Sequence, residues 1–248
     1  MRVGLVSLLG LALFAWPFLG HSVPPELPAL ALAVGVAAAL LLVELGTRQL
    51  DARGLALLAV LAAINTGLRL AVVHGIGGFS PIFFLVLCSG WTFGTSFGFL
   101  VGAFSILVSA VAEGGVGPWV PYQMFATGWV GVAAGLAGHL AGRPVARPPG
   151  WRALAALAAV GGVSGWAFGA LMDVTDWTVG YRGNPVMGWQ PGLDVATSFI
   201  RFGRFYLLTS LAYDTFRAVG NALMVLLVGA PVLAALARVR ARLSFEVV

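Results

Sequence analysis

The sequence predicts an all-α, polytopic transmembrane helical bundle, and three observations carry that expectation. Sixty per cent of the 248 residues are hydrophobic and only 9% are charged, whereas a soluble domain carries roughly a quarter charged residues. Mean hydropathy is +0.97. The apolar residues gather into runs near the roughly 20 residues that a membrane-crossing helix needs. Too few charges remain to coat a water-facing surface, which excludes a soluble enzyme, a nucleic-acid binder and a disordered chain. The pI near 10.3 is no nucleic-acid footprint, because the basic residues sit at the ends of the apolar runs.

Taken in order, the runs are 4–20, 27–45, 54–73, 80–90, 94–112, 121–141, 153–172 and 206–237. The first comes after Arg2 and has the outline of a signal peptide. His21-Ser22-Val23-Pro24-Pro25 comes next, not a small-x-small cleavage site, so a retained span is expected. The fourth is short and contains Pro81, which predicts a tilted or broken helix. The last exceeds one crossing and is expected to tilt or to run past the membrane.

Eight crossings place both ends on one side, and the arginines agree. With the N-terminus inside, the inner segments hold Arg2, Arg48, Arg53, Arg143, Arg147, Arg152, Arg238, Arg240 and Arg242, and the outer ones only Arg182, Arg201 and Arg204. The positive-inside rule then predicts two cytoplasmic termini. Of the outer segments, 174–205 is read as a long loop rich in Trp, Gly, Pro and Asp. Glu113–Pro121 (EGGVGPWVP) is read as a rigid turn.

Small residues recur every fourth position: Gly94, Gly98 and Gly102; Gly131 and Gly135; Gly161, Gly165 and Gly169. A four-residue step returns to one helix face, so these form grooves in which membrane helices approach closely. On the third helix Ala52, Ala56, Ala59 and Ala63 make a smoother stripe, suited to internal packing or to contact with a partner.

Ionisable groups within a span are costly unless paired or wetted, so each is a functional candidate. Arg69 lies four residues after Asn65 and has no acid in its own span. Asp214, Arg217 and Asn221 share the last helix, where Asp214 and Arg217 can pair. Asp173 and Asp176 flank the outer end of the seventh helix. Trp119, Tyr122, Gln123 and Trp129 open the sixth. Interfacial anchoring accounts for the aromatic members but not for Gln123, an amide that needs a hydrogen-bonding partner at that depth.

Catalytic readings fail on missing parts. All 14 basic residues are arginine, so a P-loop and a Schiff-base lysine are both excluded. Cys88 is the one cysteine. Gly162-Val163-Ser164-Gly165 matches the GxSG string of rhomboid-type serine proteases, but His21, His74 and His139 all precede Ser164. Tyr213-Asp214 lacks the GxGD segment of the intramembrane aspartyl-protease pair. No metal constellation and no resident cofactor are expected; the chain is read as a non-enzyme.

The stretch Ile76–Val132, above all EGGVGPWVPYQMFATGWVG from Glu113 to Gly131, resembles the substrate-binding (S) components of energy-coupling factor vitamin transporters. It is most similar to their cobalamin-type members from actinobacteria. FGALMDVTDW (Phe168–Trp177) and TSLAYDTFRAVGNALMVLLVG (Thr209–Gly229) support the resemblance, which covers about residues 54–240. It implies a six-helix core over 51–248, with two additional N-terminal helices in 1–50. It also implies a multi-pass protein of the bacterial cytoplasmic membrane. Such a protein binds its vitamin on the outer face and docks on a transmembrane scaffold subunit served by two ABC-type ATPases. In the family an AxxxA pair on the first core helix meets the scaffold; the matching positions are Ala59 and Ala63. Cobalamin or a related corrinoid is the implied cargo, with another vitamin or precursor as the alternative. A corrinoid would stack on Trp119, Tyr122, Trp177 and Trp189, and its amides would bond Gln123, Asp173, Asp176 and Asn221. Arg69, Asp214 and Arg217 complete the candidate site, and a hollow opening outward near Tyr122 and Asp173 is expected. A membrane scaffold protein without a transported ligand is the reading from another class.

Overall fold

The computed structural model describes residues 2–19, 31, 34–35, 37–42, 51–71, 81–142 and 149–244. Among these all regular structure is helical. The elements are α1 (Arg2–Leu19), α2 (Ala52–Ala71), α3 (Ile82–Phe93), α4 (Thr95–Ala112), α5 (Val120–Leu140), α6 (Trp151–Val179), α7 (Val195–Thr209) and α8 (Leu211–Ser244). The predicted second span, 27–45, is helical at 31, 34–35 and 37–42 and otherwise lies outside the described residues, as do His21, His74, Arg48, Arg143 and Arg147.

Among the described residues four helices, α2, α4, α6 and α8, are long and apolar enough to cross a membrane. Their length and composition agree with a helical membrane protein. At 12 residues, α3 is about 18 Å long, shorter than the hydrocarbon core of about 30 Å. Ile82 to Thr92 of this helix are all buried, so α3 is protected by protein on every side.

The sequence places Gly94 on the face of the following helix; the structure corrects this. Gly94 is the turn between α3 and α4, with φ 106°, a backbone region that side-chain-bearing residues avoid. The chain folds back there. A Cβ on Gly98 would lie 2.6 Å from the Gly90 Cα, so the two helices touch backbone to backbone. On the other side Gly131 of α5 closes against both Gly90 and Gly98, and Gly102 meets the Thr127 carbonyl. Four-residue glycine spacing thus brings α3, α4 and α5 together, with α5 at the centre.

Helix α6 is antiparallel to α8 and uses its glycines in the same way. Gly161 lies beside Asn221, Gly165 against Ala218 and Gly169 against Asp214. Helix α2 runs parallel to α4. Its face Gly54, Leu58, Leu61, Ala62, Asn65 and Thr66 is buried, which is the 3–4 spacing of one helical side. Its opposite face carries Ala52, Ala56, Ala59 and Ala63, all exposed.

The long outer loop predicted over 174–205 is a second correction. The segment Val174–Val179 continues α6, and residues 195–205 belong to α7, so only 180–194 is turn. Nothing in VTDWTV breaks a helix, whereas Gly180, Gly183, Pro185, Pro191 and Gly192 do. Asp194 restarts one by accepting the Thr197 amide at 2.9 Å, an N-cap bond. The predicted span 206–237 likewise divides at Ser210, and α8 extends beyond it to Ser244.

Candidate functional site

The expected site residues fall into three groups at the end of the bundle where α4 finishes, α5 begins and α6 meets α7.

The first group is ionic. Asp214 sits in the first turn of α8 with its carboxylate against Gly169; only a residue without a side chain leaves that space on α6. Arg217, one turn on, pairs with the same carboxylate, their side chains being 12% and 2% exposed. Its guanidinium also lies 5.4 Å from the Phe168 ring centre and 5.2 Å from that of Tyr213. Asp173 of α6 is buried beside this pair, within reach of the Ser210 hydroxyl at the α7–α8 break. Tyr206 of α7 reaches Asp214. The second carboxylate oxygens of Asp173 and Asp214 have no hydrogen-bond partner among the described residues. Asp176 is exposed. Asn221, two turns below Asp214, is fully buried; its amide donates to the Arg217 carbonyl at 2.9 Å while its oxygen is unpartnered among the described residues.

The second group joins α2 to α4. The Asn65 amide donates to Ser105 Oγ at 3.1 Å, and the Thr66 hydroxyl to the Ser105 carbonyl at 3.2 Å. Arg69 donates to the Ser109 hydroxyl and lies 3.8 Å from Glu113. The acid that Arg69 lacks on its own helix is therefore supplied at the end of α4. Glu113 is the first residue of the EGGVGPWVP turn, but nothing in its local sequence marks it as this partner.

The third group is aromatic, and α1 runs through it. Tyr122 is buried, with its ring edge-on to Phe14 at 5.2 Å and its hydroxyl within reach of Trp16. Trp129 donates to Ser7 at 2.9 Å. Trp177 is fully buried, stacks on Phe18 at 5.6 Å and donates to the Met187 carbonyl. Trp189, also buried, packs on Trp16 at 5.4 Å and donates to the Pro17 carbonyl at 2.9 Å. The outward hollow expected near Tyr122 is thus filled on that side by Phe14 and Trp16. Trp119 is half exposed and Gln123 half-buried. Sequence reasoning missed Phe14, Trp16 and Phe18 because they read as ordinary residues of an apolar span.

A shallow apolar dip between Ala37, Phe99, Ala103, Met124 and Phe125 has no room for even a water molecule, whereas ligand sites enclose roughly 300–1,000 Å³. Cys88 is fully buried, and the described residues contain no cluster of metal-ligating side chains. The geometry offers acceptor oxygens, one buried guanidinium and broad aromatic faces: groups that bind and orient. Compared with known proteins, the chain matches no family model and has no significant match to a curated protein or a solved structure.

Proposed function

We propose that this protein is the membrane-embedded substrate-binding component of an energy-coupling factor importer. On this reading it captures cobalamin or a related corrinoid from outside the cell and passes it to a scaffold subunit driven by two ABC-type ATPases. The observation that carries the reading is the gathering of buried acceptors and aromatic faces, Asp173 and Asp214 with Tyr122, Trp177 and Trp189, at one end of a helical membrane bundle. Ligand sites combine apolar walls with a few placed polar groups in this way, and polar groups within spans commonly mark a transport route. The alanine face of α2 supports the partner half. Ala59 and Ala63 are exposed, and a Cβ on Gly67 farther along the helix would meet nothing within 4 Å. A helix with small residues of its own can lie close along such a surface.

The test is cyanocobalamin binding to the purified full chain in lipid nanodiscs. Saturable binding at micromolar concentration or tighter is expected. A folded chain that shows none removes the corrinoid, leaving a different vitamin or a ligand-free scaffold role.

A further inference from the structure

Apart from Arg2 and Ser7, helix α1 is made of apolar residues. Leu5, Leu8, Leu11 and Leu19 are exposed, while Phe14, Trp16 and Phe18 enter the aromatic group. It lies antiparallel to α5, with Ser7 at Trp129 and Phe14 at Tyr122. Its close fit comes from Gly10, where a Cβ would come within 2.7 Å of the Trp129 ring. Its far end is held by Phe18, whose ring lies 4.5 Å from Phe199 of α7, and by the Trp189 N–H on the Pro17 carbonyl. That carbonyl is one of the four that a helix end leaves without an internal partner.

We propose that α1 is the removable wall of the aromatic site, and that the ligand binds by displacing its outer half. This rests on the reading of the chain as a cargo receptor and deepens it by naming the ligand's chemistry. The rings of Phe14, Trp16 and Phe18 occupy the space where a broad ring face would lie. The Trp189 N–H, satisfied by the Pro17 carbonyl, needs another acceptor when the outer half of α1 leaves. The ligand is therefore a large ring-bearing molecule with carbonyl or amide oxygens on its rim. Displacement is feasible because helices in lipid gain no hydrophobic energy by associating. Lifting its outer half gives up the ring packing of Phe14, Trp16 and Phe18 and the Trp189–Pro17 hydrogen bond, while Ser7 stays at Trp129. Affinity is reduced by whatever fraction of time α1 stays seated.

The test uses the full chain in nanodiscs with two variants. In Phe14→Cys the new thiol is carried on the part of α1 that packs against Tyr122, and Cys88 of the unmodified chain is the buried control. Labelling by a water-soluble maleimide well above the Cys88 background, faster with cyanocobalamin, is expected; a thiol as inert as Cys88 under both conditions overturns the proposal. In Phe18→Cys/Phe199→Cys, oxidation ties α1 to α7. Oxidation is expected to weaken cyanocobalamin binding by about ten-fold or more, reversed by reductant, as a trapped minor state requires; unchanged binding overturns the proposal. If cyanocobalamin binds neither the oxidised nor the reduced form, the cargo assignment fails. Labelling of Phe14→Cys without ligand then decides alone whether α1 lifts.

Discussion

Gly169 of α6 lies directly beneath the Asp214 carboxylate of α8, with no room for even one methyl group between them. The buried acid is seated by an absent side chain. Gly169→Ala is expected to destabilise the protein by about 1–3 kcal/mol, the usual cost of overpacking, and to disturb the Asp214–Arg217 pair. Gly162→Ala, whose Cβ would sit 3.7 Å from the Ala218 carbonyl oxygen, serves as the tolerated control. Thermal unfolding in detergent of the two variants checks this; equal midpoints would disprove the seat.

Asp214 and Arg217 should behave as one unit. Their side chains are nearly buried, so Arg217→Gln leaves an uncompensated carboxylate and is expected to cost about 3–5 kcal/mol. Adding Asp214→Asn should restore much of that loss, because neither member of the pair then carries a charge. A double-mutant cycle read by unfolding gives the coupling, and additivity of the two changes would contradict it.

Arg69 and Glu113 should matter far less to stability. They are 23% and 27% exposed, and a pair open to solvent contributes about 0–1 kcal/mol. Arg69→Gln is expected to leave the unfolding midpoint nearly unchanged. A large drop would show that the pair is held away from water.

If the chain is the proposed importer component, the exposed face of α2 separates folding from transport. Ala59→Leu with Ala63→Leu adds bulk where the bundle has no contact of its own to lose. Folding and ligand binding are expected to persist while uptake in whole cells, with the scaffold and ATPases present, falls by about ten-fold, or about 1.4 kcal/mol of docking. Wild-type uptake by the double variant would refute a docking role for this face.

Asp194 gives a local pH dependence. Its bonds to the hydroxyl and amide of Thr197 hold its carboxyl below the usual carboxylate range. The folded pKa is thus depressed: the cap is fully in force above the ordinary carboxylate pKa and is lost as pH falls through the lowered value. Amide exchange at the start of α7 should therefore accelerate on acidification below about pH 4. Asp194→Asn should remove that acid-dependent step while still capping the helix. A step that persists in the variant would assign it to another group.

The residues by themselves point to an all-helical chain with stretches apolar enough to cross a membrane, and they mark most of its helix boundaries. They also mark which faces pack: glycines four apart at Gly98–Gly102, Gly131–Gly135 and Gly161–Gly165–Gly169 do line the close helix contacts, because four-residue spacing and burial are properties of a single helix. The helical continuation through Val174–Val179 and the restart at Asp194 were obscured by Trp, Gly and Pro residues that read as one loop. The tertiary structure alone decides that Glu113 answers Arg69 from the end of another helix, that Tyr206 and Ser210 join Asp214 and Asp173, and that Phe14, Trp16 and Phe18 cover the aromatic face. Which side chains meet across two helices depends on their crossing and relative register. Those are set by the sum of all packing contacts, and no single stretch of sequence carries them.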